Sequence, residues 1–380
     1  MPARVMAELT LAVAGVALLG CALAANQEYL DRHVLPSFLL SRAWVVRLEM
    51  LARLVLAVLG LVLALVARPR VGRFVAREPA RALQVVIAVA LALVAGEAVL
   101  GRMALRPAEW LFPDEEPRRR ADARLGWTYV PERAGRAAIG GRTIEYALDP
   151  SGYRVRRVDE PVDPGRPTVV LTGESVMFGE GLTWEESIPA QLGALLGVQS
   201  ANLAVHGYGS DQAFMRLRAE LPRFRRPVAV VSLFMPALFG RNLDDDRPHL
   251  MPGLVWGAGK PHARLTSLAQ LLVPLRSDEA IERGITVTRE VLQATARLAR
   301  ARGATPLVVV PQFGQVAPME QTLRRRILDE AGVPYVLVAL DPAWRLPWDR
   351  HPDARAARAI ARAAAERLPL KFLPASPRRR

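Results

Sequence analysis

Acyl transfer needs a nucleophile, a base beside it, a carboxylate to orient that base, and donors for the oxyanion. The chain offers a candidate for each. Ser175 ends the stretch Thr168-Val-Val-Leu-Thr-Gly-Glu-Ser175, a β-branched run that breaks at Gly173 and presents a hydroxyl. Asp349 and His351 stand together in Asp349-Arg-His-Pro352. Asn202 and Gly207 frame Asn202-Leu-Ala-Val-His-Gly207, and Arg241-Asn242 trails a third apolar run. Pro352 at a first helical position would set His351 near a helix N-terminus. There the dipole keeps an imidazole neutral and able to accept a proton. His206, beside Gly207, is placed to line a pocket and touch substrate. His249 and His262 have no carboxylates at metal-ligand spacing, so neither a metal nor another cofactor is expected.

These residues need a scaffold that brings them to one place. From residue 168 onward strand and helix patterns alternate. Strands are predicted at Thr168–Thr172, Gln199–Ala204, Val228–Phe234, Pro306–Val310 and Pro334–Ala339. Helices are predicted at Glu185–Leu196, Ser210–Leu221, Asp278–Arg302, Met319–Ala331 and Asp353–Arg367. Short apolar strands between helices imply a parallel sheet covered on both faces. Asn202 then lies at the end of its strand, and Ser175, Gly207, Asn242 and His351 lie past strand C-terminal ends, the rim where such sheets place their chemistry.

The stretch Gly173-Glu-Ser175 resembles the nucleophile block of the SGNH/GDSL hydrolase superfamily, with Glu in place of the usual Asp. Asn202 to Gly207 is similar to the second block, and Asp349 to His351 to the last. The resemblance covers roughly residues 168–370. It implies a three-layer α/β/α domain around a five-stranded parallel, flavodoxin-like sheet. It also implies Ser175 as nucleophile, His351 as base and Asp349 as its orienting acid. The oxyanion hole would come from the backbone of Ser175 and Gly207 and from the side chain of Asn242. Asn242 arrives several residues later than the family's third block places its asparagine, and the last block has one residue between Asp and His where two are common. Among membrane-anchored extracytoplasmic members, a β-rich lead-in with a Leu-Gly-Trp stretch precedes the nucleophile block; Leu125-Gly-Trp127 stands there in this chain. The implied substrate is an acylated glycan or lipid ester, with hydrolysis or O-acetyl transfer as the outcome. A carbohydrate-binding protein that keeps the fold without the reaction is the alternative from another class.

Composition supplies an address. Of the 380 residues, 51% are hydrophobic, and the excess sits in the first hundred. Val5–Ala25, Leu51–Ala67 and Ala82–Leu100 each approach the ~20 apolar residues that cross a ~30 Å hydrocarbon core. Arg68, Arg70, Arg73, Arg77 and Arg81 crowd the loop between the second and third, which predicts that loop on the cytoplasmic side. The chain is therefore expected to be a multi-pass protein of the inner (plasma) membrane. Everything after the third span would face the periplasm or exterior. The net charge of +14 is partly this topology, and no interleaved aromatic–basic stripe suggests nucleic acid. The single cysteine, Cys21, forbids an intramolecular disulfide. The expected organisation is a three-helix anchor over 1–105, a linker over 106–121 and a small β-rich lead-in over 122–167. A catalytic domain over 168–370 follows, with 235–275 as a lid or binding insertion, and a basic tail closes the chain over 371–380.

Overall fold

The computed structural model describes residues 2–102, 116–139, 141–244, 246–259, 275–347 and 350–369. Asp349, His262 and the basic tail lie outside the described residues. The chain divides into two compact units. One comprises residues 1–34, 40–107 and 262–276; the other comprises 35–39, 108–261 and 277–380.

The first unit is helical: α1 (Ala3–Ala24), α2 (Gln27–His33), α3 (Arg42–Leu61), α4 (Arg68–Arg77) and α5 (Pro79–Arg102). A π-helical turn, Val62–Ala67, joins α3 to α4, giving 36 continuous helical residues from Arg42 to Arg77. At ~1.5 Å per residue that is ~54 Å, well beyond a ~30 Å hydrocarbon core. Arg68, Arg70, Arg73 and Arg77 therefore extend the same helix whose apolar middle was predicted at Leu51–Ala67. Three helices, Ala3–Ala24, Arg42–Arg77 and Pro79–Val99, are long and apolar enough to cross a membrane. Gly15 of α1 and Gly60 of α3 allow their backbones to meet: a Cβ on either would stand 2.7 Å from the other's carbonyl oxygen. Small residues at a crossing are how apolar helices pack without a hydrophobic driving force.

The second unit is α/β. Strands β1 (Arg119–Asp122) and β2 (Gly126–Tyr129) form a hairpin. Strands β3 (Arg133–Ile139), β4 (Arg142–Leu148) and β5 (Arg154–Val155) run antiparallel to one another. Then come β6 (Thr168–Thr172), β7 (Gln199–Asn202) and β8 (Pro227–Leu233), the short hairpin β9 (His249–Met251) and β10 (Val255–Gly257), and finally β11 (Thr305–Phe313) and β12 (Tyr335–Leu340). Among the described residues the main sheet has eight strands in the order β12-β11-β8-β6-β7-β5-β4-β3. The five strands from β12 to β7 are mutually parallel, in the order 2-1-3-4-5 along the chain. The predicted count of five is therefore too small. The β-rich lead-in does not stand apart but joins the sheet edge through the antiparallel pair Arg154 and Asn202.

Helices cover both faces. On one lie α7 (Ile188–Leu196) and α11 (Ala354–Arg367); on the other lie α8 (Ser210–Glu220) and α9 (Asp278–Ala301), with α10 (Pro318–Arg324) beyond. Period-two alternation along β6 divides its side chains between them. Val169 and Leu171 join Leu192, Ile360 and Ala361 in one core, whereas Val170 joins Leu217 and Phe224 in another. Sequence and structure agree closely on the parallel strands because each is a short apolar run bounded by turn residues. The helix predicted from Asp353 begins at Ala354, and Asp353 is its cap.

Candidate active site

Ser175 is the first residue of α6 (Ser175–Phe178), a single helical turn directly after β6. Glu174 caps it, its carboxylate accepting the Val176 N–H at 3.2 Å. Gly179 ends the turn with φ 87°, and the N–H groups of Gly179 and Glu180 return to the Ser175 carbonyl at 2.9 and 3.0 Å. A side chain there is blocked by Arg154, whose Nη1 would stand 2.7 Å from a Cβ at 179. Arg154 is 1% exposed. It donates to the carbonyls of Phe178 and Gly179 at 2.7 Å each and of Leu182 at 2.6 Å. Burial pulls its guanidinium pKa down, while the Tyr146, Glu180 and Tyr129 side chains oppose this. Asn202, fully buried at the end of β7, adds a bond from Nδ2 to the Phe178 carbonyl at 3.2 Å. Strands β5 and β7 thus grip the turn that carries the serine.

His351 is 7% exposed, and its Nε2 lies 2.8 Å from the Ser175 Oγ across 176 residues of chain. Its loop closes on itself. Arg345 and Pro352 form a β-bridge, the Leu346 N–H donates to the His351 carbonyl at 2.7 Å, and the Arg350 N–H donates to the Leu346 carbonyl at 3.2 Å. Arg350 takes the left-handed conformation, φ 63°, which costs a non-glycine residue on the order of 1 kcal/mol and turns the chain just before the histidine. Arg345 holds that turn by donating to the Arg350 carbonyl at 2.6 Å. Phe38 packs edge-on against the His351 ring at 5.1 Å between centroids, and Arg345 also donates to its carbonyl at 3.2 Å.

Pro352 is not the first helical residue. Asp353 makes the better cap, because its carboxylate accepts the N–H groups of Arg355 and Ala356 at 2.8 and 3.1 Å. His351 therefore stands two residues before the cap, and the loop rather than a helix terminus positions it. Asp353 is further engaged by Arg355 at 2.7 Å, and Asp341 accepts the Ala343 N–H in a turn at 2.8 Å. Both carboxylates serve local structure.

The remaining predicted residues divide. The Ser175 hydroxyl also reaches the Glu174 carboxylate, which is neutralised by Arg241 at 3.0 Å. Asn242, one residue on, points its amide elsewhere. Its oxygen accepts the Ser210 N–H at 2.8 Å, and its nitrogen donates to the hydroxyls of Ser210 at 3.2 Å and Thr288 at 3.0 Å. The structure thus joins Ser175 to His351 and ties Asn242 to α8 and α9. Gly207 follows β7 with φ 82°, its carbonyl held by Arg247 at 2.7 Å.

His206 comes within 6.1 Å of His351, centroid to centroid. Its Nδ1 donates to the carboxylate of Glu180 at 3.1 Å. Burial alone raises the Glu180 carboxyl. The charges of His206, His351 and Arg154, with the His206 hydrogen bond, outweigh burial and hold it below the ordinary 4.5. Among the described residues no group of three or more His, Cys, Asp or Glu is arranged to hold a metal ion.

Arg154 and Phe38 have no sequence signal. Arg154 sits in Arg154-Val-Arg-Arg157, where nothing separates a buried guanidinium from two exposed ones. Phe38 lies 307 residues from its partner Arg345. Glu180 alone was within reach, since it stands five residues after the serine, between two glycines that mark a tight turn.

No family model matches the chain, and no curated protein matches it. Among solved structures, it is similar to one described as a lipolytic protein of the G-D-S-L family from Desulfitobacterium hafniense. The identity is 13%, covering 52% of this chain and 98% of that one, with a TM-score of 0.32. It is similar to an arylesterase from Agrobacterium tumefaciens at 16% identity over 53% and 97% of the two chains, TM-score 0.32. A carbohydrate acetylesterase from Sinorhizobium meliloti matches at 12% identity over 53% and 97%, TM-score 0.33.

Proposed function

We propose that the chain is a membrane-anchored serine esterase of SGNH/GDSL type, acting on an O-acyl group of an extracytoplasmic glycan or lipid. The observation that carries this reading is the 2.8 Å contact between Ser175 Oγ and His351 Nε2. Two residues 176 apart, of the types acyl transfer requires, meet at the C-terminal rim of a parallel sheet. His351 takes the Ser175 proton as Oγ attacks the ester carbonyl, and Asp349 orients the imidazole. Backbone N–H groups of Ser175 and Gly207 hold the oxyanion. Ser175 begins a helical turn, where N–H groups are unpaired by the helix itself and aim outward. Water or a sugar hydroxyl then resolves the acyl-enzyme. The three apolar helices and the arginine-rich end of the second support anchoring in the plasma membrane with the α/β unit outside.

The test uses full-length protein in detergent. A fluorophosphonate probe should label Ser175, and p-nitrophenyl acetate should be cleaved by wild type but not by Ser175→Ala. His351→Ala should lose ~10³-fold or more, and the Ser175→Ala/His351→Ala pair should be little worse than either, because residues acting as a unit are not additive. Folded protein that neither labels nor cleaves any ester, acetylated glycans included, would defeat the reading.

A further inference from the structure

His206 is fixed from three sides. Its N–H donates to the Tyr129 hydroxyl at 2.9 Å, its carbonyl accepts the Trp127 indole N–H at 3.1 Å, and its Nδ1 meets Glu180 at 3.1 Å. Glu180 is 4% exposed and belongs to the nucleophile turn, where its own N–H reaches back to the Ser175 carbonyl. Burying a carboxylate costs several kcal/mol unless it is paired, and an ordinary solvated loop histidine needs no such partner. The His206 side chain keeps about a quarter of its surface exposed. With Nδ1 committed to Glu180, the edge of the ring left for a substrate is the Nε2 edge. That edge is the group a substrate can reach, beside a second imidazole already engaged with the nucleophile.

We propose that Glu180 and His206 form a second proton-transfer pair that serves the leaving group and the acceptor, while His351 serves Ser175 alone. This rests on the serine-esterase reading above. In the first half, the Ser175 proton passes to His351 Nε2 and the Oγ–acyl bond forms. The acyl–oxygen bond of the ester breaks, and the departing oxygen takes a proton from His206 Nε2. In the second half, the water or alcohol O–H gives its proton to His206 Nε2 as its oxygen bonds the acyl carbon. The Oγ–acyl bond then breaks and Oγ recovers its proton from His351. Both imidazoles and the serine end as they began. Glu180 keeps the Nδ1 proton of His206 throughout, so that Nε2 is the nitrogen that exchanges protons.

The two halves separate with p-nitrophenyl acetate, whose leaving group departs without protonation, so that His206 gives its Nε2 proton to solvent before it accepts one in the second half. The burst of p-nitrophenolate then reads Ser175 and His351, and the steady rate reads resolution by water or by added glycerol. In His206→Asn and Glu180→Gln the burst should stay within about threefold of wild type, while the steady rate falls ~10²-fold, the usual worth of a general base. Acetyl-enzyme should accumulate on Ser175, visible by intact-mass spectrometry. Glu180→Asp should restore part of the steady rate. Burst and steady rate falling together, or neither changing, would overturn the proposal, and melting temperatures of the variants separate misfolding from a lost proton transfer. If His206→Asn fails to fold, Glu180→Gln alone decides, because it keeps the side chain's shape. A wild type that never labels at Ser175 overturns both readings; one that labels, with both phases slow in the variants, overturns this one alone.

Discussion

Glu174 and Glu180 flank the turn that carries Ser175 and meet different partners. Glu174 is paired with the permanently charged Arg241, whereas Glu180 leans on a histidine. The folded carboxyl of Glu180 lies below its ordinary value, so its contribution to stability is full above about pH 4.5 and is lost as pH falls through the lower folded value. Wild type should therefore melt above Glu180→Gln at neutral pH, with the gap closing in acid; a gap that does not change with pH would contradict the ionised pair. For Asn242 the amide's ties to Ser210 and Thr288 predict a structural cost. Asn242→Ala should lose about 1–3 kcal/mol of stability with kcat little changed. A kcat reduced ~10²-fold or more at unchanged melting temperature would return Asn242 to the oxyanion hole. Ser175 and His351 were legible in the sequence because residue type and local spacing announce them. Asn242 was legible as a residue but not as a direction, since a side chain's aim depends on neighbours 32 and 46 positions away.

The elements were legible to the extent that each is held by local pattern. All five parallel strands show as short apolar runs. What could not be read was the addition of β3, β4 and β5 to the same sheet, because an antiparallel join of a single residue pair leaves no periodicity behind. That join matters, since it delivers Arg154 to the carbonyls of the turn that carries Ser175. Arg154→Met would remove a donor from three carbonyls, of which Phe178 keeps Asn202 and Gly179 keeps the Leu182 N–H, and should cost about 1–3 kcal/mol. It should lower kcat more than it raises KM, as measured by thermal melting and steady-state kinetics. Arg154→Lys should recover little, because one ammonium cannot reproduce the guanidinium fork. Activity unchanged in Arg154→Met would mean the turn holds its shape unaided. Residues 35–39 supply another neighbour, Phe38, which packs against His351. Phe38→Ala removes an aromatic neighbour of His351 and should reduce kcat by ~2- to 12-fold, the span of 0.5–1.5 kcal/mol for such a pair. Phe38→Tyr should preserve it.

The molecule as a whole is organised by its topology. If the arginines of α4 remain on the cytoplasmic side, a reporter active only there should work when fused after Arg77 and fail when fused after Ala123. The opposite pattern would sink the extracytoplasmic placement of the α/β unit. That unit is discontinuous in sequence, because residues 35–39 belong to it while both flanks belong to the helical unit. Leu35 is 5% exposed and packs with Phe239 and the backbone of Gly240. The discontinuity has a consequence in time. Phe38 is synthesised 307 residues before Arg345, and at ~5–20 residues per second the interval is roughly 15 to 60 seconds. Throughout it, Phe38 must wait for both Arg345 and His351. The site therefore closes only after the last strand has left the ribosome, and 176 residues separate the synthesis of Ser175 from that of the histidine it meets.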